Sequence, residues 1–258
     1  MIGTIDIGNT NMTAGFFKES RLLGVFKVPT AGWEDPGKVA LLIKDKARPF
    51  LKKEACEEVY ACSVVPRANL HLRSICRDVF KSHCRIAGED FCVPLMNKYR
   101  IPSQVGQDRL VNAYGALKLY GKGLIVVDFG TAITFDIVSR NAEYLGGLIA
   151  PGLRLMQESL NNKTALLPFV ELARPIELIG RDTASSIRAG IVFGAASLCD
   201  GIIERLVKKE CRGYKIIVTG GDASLVKPHS RYLKIIEEDL ILKGLRMIAA
   251  SQKIGKKL

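Results

Sequence analysis

The chain has 258 residues, 48% of them hydrophobic and 25% charged, which excludes a disordered chain and leaves room for one large domain or two compact halves. Its net charge of +12 is spread evenly over the two halves of the sequence, so it attracts anions but carries no basic arm or tail dedicated to nucleic acid. Seven cysteines, an odd number with no CxxC pair, argue against a disulfide framework and a zinc site. Five of them lie between positions 56 and 92, where small buried apolar residues are a simpler reading than a redox or metal role.

The chain opens MIGTIDIGNT, without a basic start and with Asp6 inside the apolar run, so no signal peptide is expected. The most apolar stretch, Gly123 to Val138, carries Asp128 and Asp136 and is shorter than the roughly 20 residues of a spanning helix. A soluble, cytoplasmic protein without a membrane segment is the expectation.

In chain order, Thr4 to Phe17 comes first and predicts strand, tight turn, strand, with Asp6 at the end of an apolar run and Gly8 two residues on. Gly106-Gln-Asp-Arg109 follows and leads into a helix from Asp108 to Tyr120. Ile125 to Val138 repeats the first pattern, with Asp128, Gly130 and Thr131 in the corresponding places. A long helix is predicted from Thr183 to Lys208, with Thr183 as a plausible N-cap. Gly190, Gly194 and Gly201 lower the stability of that helix and suit the close approach of another, whether inside the chain or in a second copy. A short buried strand, Lys215 to Val218, ends in Thr219-Gly220-Gly221, and a last helix covers Asp239 to Ala250. The two Asp-x-Gly units lie about half a chain apart, so the chain reads as two related α/β halves, 1–120 and 121–258.

The chemistry of these turns suits a phosphate site, although a plain hairpin turn uses the same Gly and Asn, and it is the second copy at Asp128 that favours phosphate. Gly8 lets backbone N–H groups approach an anion, and Asn9, Thr10 and Thr13 add donors. Asp6 repels phosphate directly and is suited to Mg²⁺, held through water. Asp128 has the choice of Mg²⁺ or a monovalent ion, since hard oxygen ligands suit either. Asp108 and Arg109 offer a proton acceptor and a bidentate anion holder, although a helix cap beside a surface ion pair uses the same two residues.

Together, the two hairpins and the late Thr-Gly-Gly turn resemble the actin, Hsp70 and sugar kinase superfamily. More narrowly, Asp6-Ile-Gly-Asn-Thr10, Gly106-Gln-Asp-Arg109, Asp128-Phe-Gly-Thr-Ala132, Gly146-Gly-Leu-Ile-Ala-Pro-Gly152, Thr164-Ala-Leu-Leu-Pro168 and Thr183 with Gly190 are similar to the type III pantothenate kinases. That resemblance implies a duplicated actin-like ATPase (ribonuclease H-like) fold with a nucleotide cleft between its halves. It implies an ATP phosphate loop made of Asp6, Ile7, Gly8, Asn9, Thr10, Asn11, Met12 and Thr13, with Thr131 also on ATP. Asp108 would be the catalytic base, with Tyr99, Gly106, Gln107, Arg109 and Thr183 around pantothenate. Asp128 would hold a monovalent cation, K⁺ or NH₄⁺, and the enzyme would be a homodimer that uses ATP with Mg²⁺. Gln107 and Ile133 depart from the family, which more often has Ala and Thr there. The alternatives are a nucleic-acid-associated or transcription-accessory relative, and a kinase of the same superfamily acting on another hydroxy acid or a sugar.

Overall fold

Apolar alternation after Met1 forms the first of eleven named strands in a computed structural model of the protein, which describes residues 1–52 and 54–255. The chain runs β1 (Ile2–Ile7), β2 (Asn11–Lys18), β3 (Arg21–Pro29), α1 (Pro36–Leu51), β4 (Glu58–Ser63), α2 (Pro66–Ile75), β5 (His83–Ile86), β6 (Met96–Asn97) and α3 (Gln107–Tyr120). It continues with β7 (Leu124–Phe129), β8 (Ala132–Val138), β9 (Glu143–Pro151), α4 (Leu153–Lys163), α5 (Thr183–Lys209), β10 (Lys215–Thr219), α6 (Ala223–Val226), β11 (Ile235–Ile236) and α7 (Leu240–Gly255).

Two units result. The first joins Met1–Met96 and Arg100–Leu119 to the segment from Leu240 on; the second comprises Asn97–Tyr99 and Tyr120–Asp239. The expected halves, 1–120 and 121–258, therefore need correcting: α7 leaves the second half for the first. The reason is packing, because α7 lies on β1, β2 and β4.

In the first unit the sheet order is β3-β2-β1-β4-β5. β1, β2 and β3 are antiparallel neighbours, and β1, β4 and β5 are parallel. The period-2 alternation of β1 gives it two working faces. Ile5 and Ile7 point into a core shared with Val39 and Ile43 of α1 and Leu72 of α2. Thr4 lies on the other face beside Gly15, where Leu242 of α7 packs. Full burial of Ile5 or Ile7 contributes about 1.5–3 kcal/mol each.

The second unit has the order β11-β10-β7-β8-β9-β6. Apart from the added edge strand β6, β9-β8-β7-β10-β11 repeats the first sheet strand for strand, with the same antiparallel trio and parallel additions. β7 is buried along nearly its whole length, as expected of a strand covered on both faces. Ile125, Val127 and Phe129 pack with Ile187, Ile191 and Ala195 of α5. Among the described residues α5 is the one helix long and apolar enough to cross a membrane, and half of its apolar window is buried inside the unit.

The loop joining β10 to β11 is tied to α5 chiefly by one buried carboxylate, with Glu204 adding a longer ion pair to Arg231 (3.7 Å). Asp200 accepts from the Ser230 hydroxyl, and from the Arg231 N–H (3.0 Å) and Nε (3.3 Å). Six of the seven cysteines are buried and Cys92 is exposed; all are free thiols.

Candidate active site

Asp6 is the last residue but one of β1, opposite Thr13 of β2 and beside Cys62 of β4. The chain then turns through Gly8, Asn9 and Thr10, closed by a hydrogen bond from the Gly8 N–H to the Asn11 carbonyl (3.0 Å). Asn9 and Thr10 are exposed, whereas Ile7 and Met12 are fully buried. Within the loop expected to hold ATP phosphates, those two residues therefore offer backbone alone. The Thr30 hydroxyl donates to the Gly8 carbonyl (2.7 Å), a link no local sequence signal announced.

Asp108 belongs to the same unit. It sits in the first turn of α3, which begins at Gln107, so the reading of Asp108 as a helix cap is replaced by a place inside the helix. Its Oδ1 accepts the Arg109 N–H at 2.9 Å. A Cβ on Gly106 would stand 2.3 Å from that same oxygen, so a larger residue there would have to move the Asp108 carboxyl. Burial raises the Asp108 carboxyl above the ordinary value, against the opposing pull of the Arg109 N–H and guanidinium. Arg109 is itself buried, so the alternative of a surface ion pair is corrected as well.

Cys62, the β4 partner of Asp6, feels the charge of both carboxylates. It is pushed well up, first by burial and then by the negative charges of Asp6 and Asp108. Asp6 and Asp108 thus bear on one buried atom inside one unit. The Gln107 side chain lies against Gly88, 3.1 Å from where a Cβ would be.

In the second unit Asp128 is the last residue but one of β7, opposite Thr134 of β8 and beside Thr219 of β10. Gly130 and Thr131 make the turn. The Gly130 N–H donates to the Ala132 carbonyl (3.1 Å), and the Gly152 N–H donates to the Thr131 carbonyl (3.0 Å). The Thr219-Gly220-Gly221 turn lies directly on this hairpin. Gly220 has φ +96°, and a Cβ on it would be 2.4 Å from Asp128 Oδ1 and 2.5 Å from the Phe129 backbone. The late glycine turn and the second acidic turn are therefore one structural unit, which their separation in sequence conceals.

Tyr99 also belongs to the second unit. Its N–H donates to Asn97 Oδ1 (2.9 Å), and its ring packs over Gly146, where a Cβ would be 3.0 Å away. Thr183 is the exposed first residue of α5, but it is not the cap. Asp182 takes that place, accepting the Ser185 N–H at 2.8 Å while Ser185 Oγ accepts the Asp182 N–H at 3.1 Å. A carboxylate with serine three residues on forms a reciprocal capping box, which threonine at 183 cannot complete. Among the described residues no group of three or more His, Cys, Asp and Glu side chains is arranged to hold a metal ion.

The duplicated topology has counterparts among solved structures. A putative Baf family transcriptional activator from Campylobacter jejuni is 21% identical, covers 97% of this chain and 98% of its own, and gives a TM-score of 0.59. The activator of 2-hydroxyisocaproyl-CoA dehydratase from Clostridium difficile, solved with ADPNP, is 13% identical with a TM-score of 0.58, covering 100% of this chain and 97% of that one. A ROK hexokinase from Thermus thermophilus is 16% identical with a TM-score of 0.55, covering 98% and 99%. These likenesses show the fold, that of the actin-like ATPases and sugar kinases.

Sequence relatives are nearer. A type III pantothenate kinase from Citrifermentans bemidjiense is 37% identical over 98% of this chain and 100% of its own. One from Finegoldia magna is 37% identical over 95% of each. The family profile for type III pantothenate kinases matches residues 4–205. The chain belongs to the type III pantothenate kinase family, and it is a kinase.

Proposed function

We propose that this protein transfers the γ-phosphoryl group of ATP to the primary hydroxyl of pantothenate, giving 4′-phosphopantothenate, the first step of coenzyme A biosynthesis. The observation that carries the reading is the Asp108 carboxyl. It accepts the Arg109 N–H at 2.9 Å in the first turn of α3, is raised by burial, and lies in the same unit as Asp6. A raised carboxyl is a better proton acceptor than an ordinary one. In the step, Asp108 takes the hydroxyl proton as the alcohol oxygen bonds to Pγ and the bond from Pγ to the ADP oxygen breaks. Phosphoryl transfer has a loose transition state, so positioning and charge contribute most and a carboxylate base suffices.

The roles of the other residues follow the family resemblance. Asp6 to Thr13 is the phosphate loop, with the Asn9 and Thr10 side chains open to solvent to meet phosphate oxygens. Mg²⁺ carried by ATP supplies charge neutralisation, and the half-exposed Asp6 carboxylate would hold it through water. Asp128, beside Thr219 at a strand end, offers the oxygen donors a monovalent cation takes, and Thr131 is the second ATP contact. Arg109 provides a fixed positive charge for the pantothenate carboxylate, with Gly106, Gln107, Tyr99 and Thr183 as further substrate residues.

A homodimer is part of the same proposal. Leu166, Phe169, Ile176, Leu178 and Ile179, all in one stretch of the second unit, are exposed far beyond what a lone surface favours. On α5, Gly190, Gly194 and Gly201 have nothing within 4 Å of where a Cβ would stand, so packing within the chain does not account for them. Sedimentation at micromolar concentration is expected to give a dimer.

The function is tested by incubating purified protein with ATP, Mg²⁺, K⁺ and pantothenate, and identifying 4′-phosphopantothenate by mass. Normal ATP binding without that product refutes the proposal. A panel of sugars and hydroxy acids in the same assay separates pantothenate from other acceptors.

A further inference from the structure

We propose that Thr30, directly after β3, is a positioning residue for the phosphate loop: it holds the Gly8 and Thr10 carbonyls aside so that the loop's amide N–H groups face the triphosphate. The proposal rests on the reading of Gly8–Thr10 as the ATP phosphate loop. Thr30 donates twice to that turn, from its hydroxyl to the Gly8 carbonyl (2.7 Å) and from its N–H to the Thr10 carbonyl (2.9 Å).

Peptide geometry supplies the consequence. Among the described residues no peptide bond is cis. In a trans peptide the carbonyl and the following N–H point to opposite sides. Fixing the Gly8 carbonyl toward Thr30 therefore turns the Asn9 N–H away from Thr30, and fixing the Thr10 carbonyl does the same for the Asn11 N–H. A carbonyl left to rotate would present its oxygen to an anion, where it repels. The β2–β3 register sets Asn11 opposite Pro29, and so delivers Thr30 to the turn.

The two bonds differ in kind. The backbone bond continues the β2–β3 ladder and any residue but proline supplies it. The hydroxyl bond crosses to the end of β1 and needs Ser or Thr. Thr30→Val keeps the β-branched shape and the backbone donor and removes that hydroxyl bond alone. Thr30→Ser keeps both donors.

Calorimetric titration of each full-length variant with a non-hydrolysable ATP analogue and Mg²⁺ tests the idea. Thr30→Val is expected to weaken the analogue about 2-fold to 12-fold, the range of a single intramolecular hydrogen bond. Thr30→Ser is expected to stay within about 2-fold of wild type, and KM for pantothenate is expected to be unmoved in both, a split that general loosening of the fold does not produce. Val binding the analogue as wild type does, or Ser as weak as Val, overturns the proposal. Should Val not fold, Thr30→Ala removes the same hydroxyl and is read in the same way. Wild type that binds nucleotide yet leaves pantothenate unphosphorylated overturns the function proposed above, while the nucleotide comparison still decides the role of Thr30.

Discussion

Replacing Asp108 by Asn gives the sharpest test of the chemistry. Asn keeps the shape, and its carbonyl oxygen can still accept the Arg109 N–H now held at 2.9 Å by Asp108 Oδ1. Its amide cannot take a proton. General-base catalysis contributes about 10²-fold to 10⁴-fold, so kcat should fall by that amount, equivalent to about 3–5 kcal/mol of transition-state stabilisation. A coupled assay of ADP release measures it, with ADP affinity by calorimetry as the control, expected within about 2-fold of wild type. The same substitution has a stability signature. Burial holds the folded Asp108 carboxyl above its ordinary 3.8, so its contribution to stability is present below that value and lost as pH rises through the folded value. At pH 7 the ionised carboxylate is a cost, and Asn removes it. The variant should therefore melt no lower than wild type at pH 7, and its advantage should vanish in acid. Turnover near normal would reduce Asp108 to a member of the first turn of α3. A lower Tm at pH 7 would refute the electrostatic reasoning even if activity were lost.

Three further outcomes follow from the geometry. Gly220→Ala must fit a Cβ 2.4 Å from Asp128 Oδ1 in a left-handed backbone, and should cost at least about 1–3 kcal/mol by urea unfolding; an unchanged midpoint would show that the turn moves freely away from the hairpin. Asp128→Ala should abolish K⁺ activation of turnover, and K⁺ dependence retained at wild-type level would assign the cation to other ligands. Burial alone would raise Asp200, but the Ser230 and Arg231 donors outweigh it and the net shift is down, so its stabilisation is present above the ordinary carboxylate range and lost as pH falls through the folded value. Asp200→Asn should cost about 1–3 kcal/mol at pH 7, with the deficit shrinking in acid, as followed by thermal unfolding; a pH-independent deficit would show that charge plays no part.

Local patterns were legible in the sequence wherever one residue type has one physical job. Both Asp-x-Gly hairpins, the long helix from Thr183 and the strand from Lys215 lie where apolar period and turn residues put them. What failed was decided by partners outside the motif, some adjacent in sequence and some far away. Asp108 alone reads as a helix cap; its place inside α3, with its carboxyl on the Arg109 N–H, is not visible from residue type. Thr183 and Asp182 are adjacent, and both are residues that cap helices. Only the reply from Ser185 picks Asp182. Halving the chain misplaced α7 because the cut assumed that neighbours in sequence stay together. The face of β1 that carries Thr4 needs an apolar cover, and α7, more than two hundred residues away, supplies Leu242 for it.

Thr30 shows the limit of motif reading most clearly. A motif records residues whose identity is demanded by the ligand. Thr30 is demanded by the carbonyls of the loop that meets the ligand, and its partner Gly8 is fixed by strand register, a property shared by every residue of β2 and β3. Exposed Asn9 and Thr10 carry the side chains a nucleotide would touch, yet on this proposal the backbone donors of Asn9 and Asn11 are turned from the end of a third strand that no Asp-x-Gly pattern includes. If that reasoning is right, the second acidic turn should be governed in the same way by its own buttress. There the Thr131 carbonyl is held by the Gly152 N–H, a backbone donor that leaves no hydroxyl to mutate. Crowding is the only handle: a Cβ at Gly152 would stand 2.3 Å from the Thr131 oxygen. Gly152→Ala should therefore turn that carbonyl and weaken binding of the ATP analogue, measured in the titration used for Thr30. Full affinity in Gly152→Ala would mean that the second turn keeps its shape without a buttress, and that backbone steering belongs to the first hairpin alone.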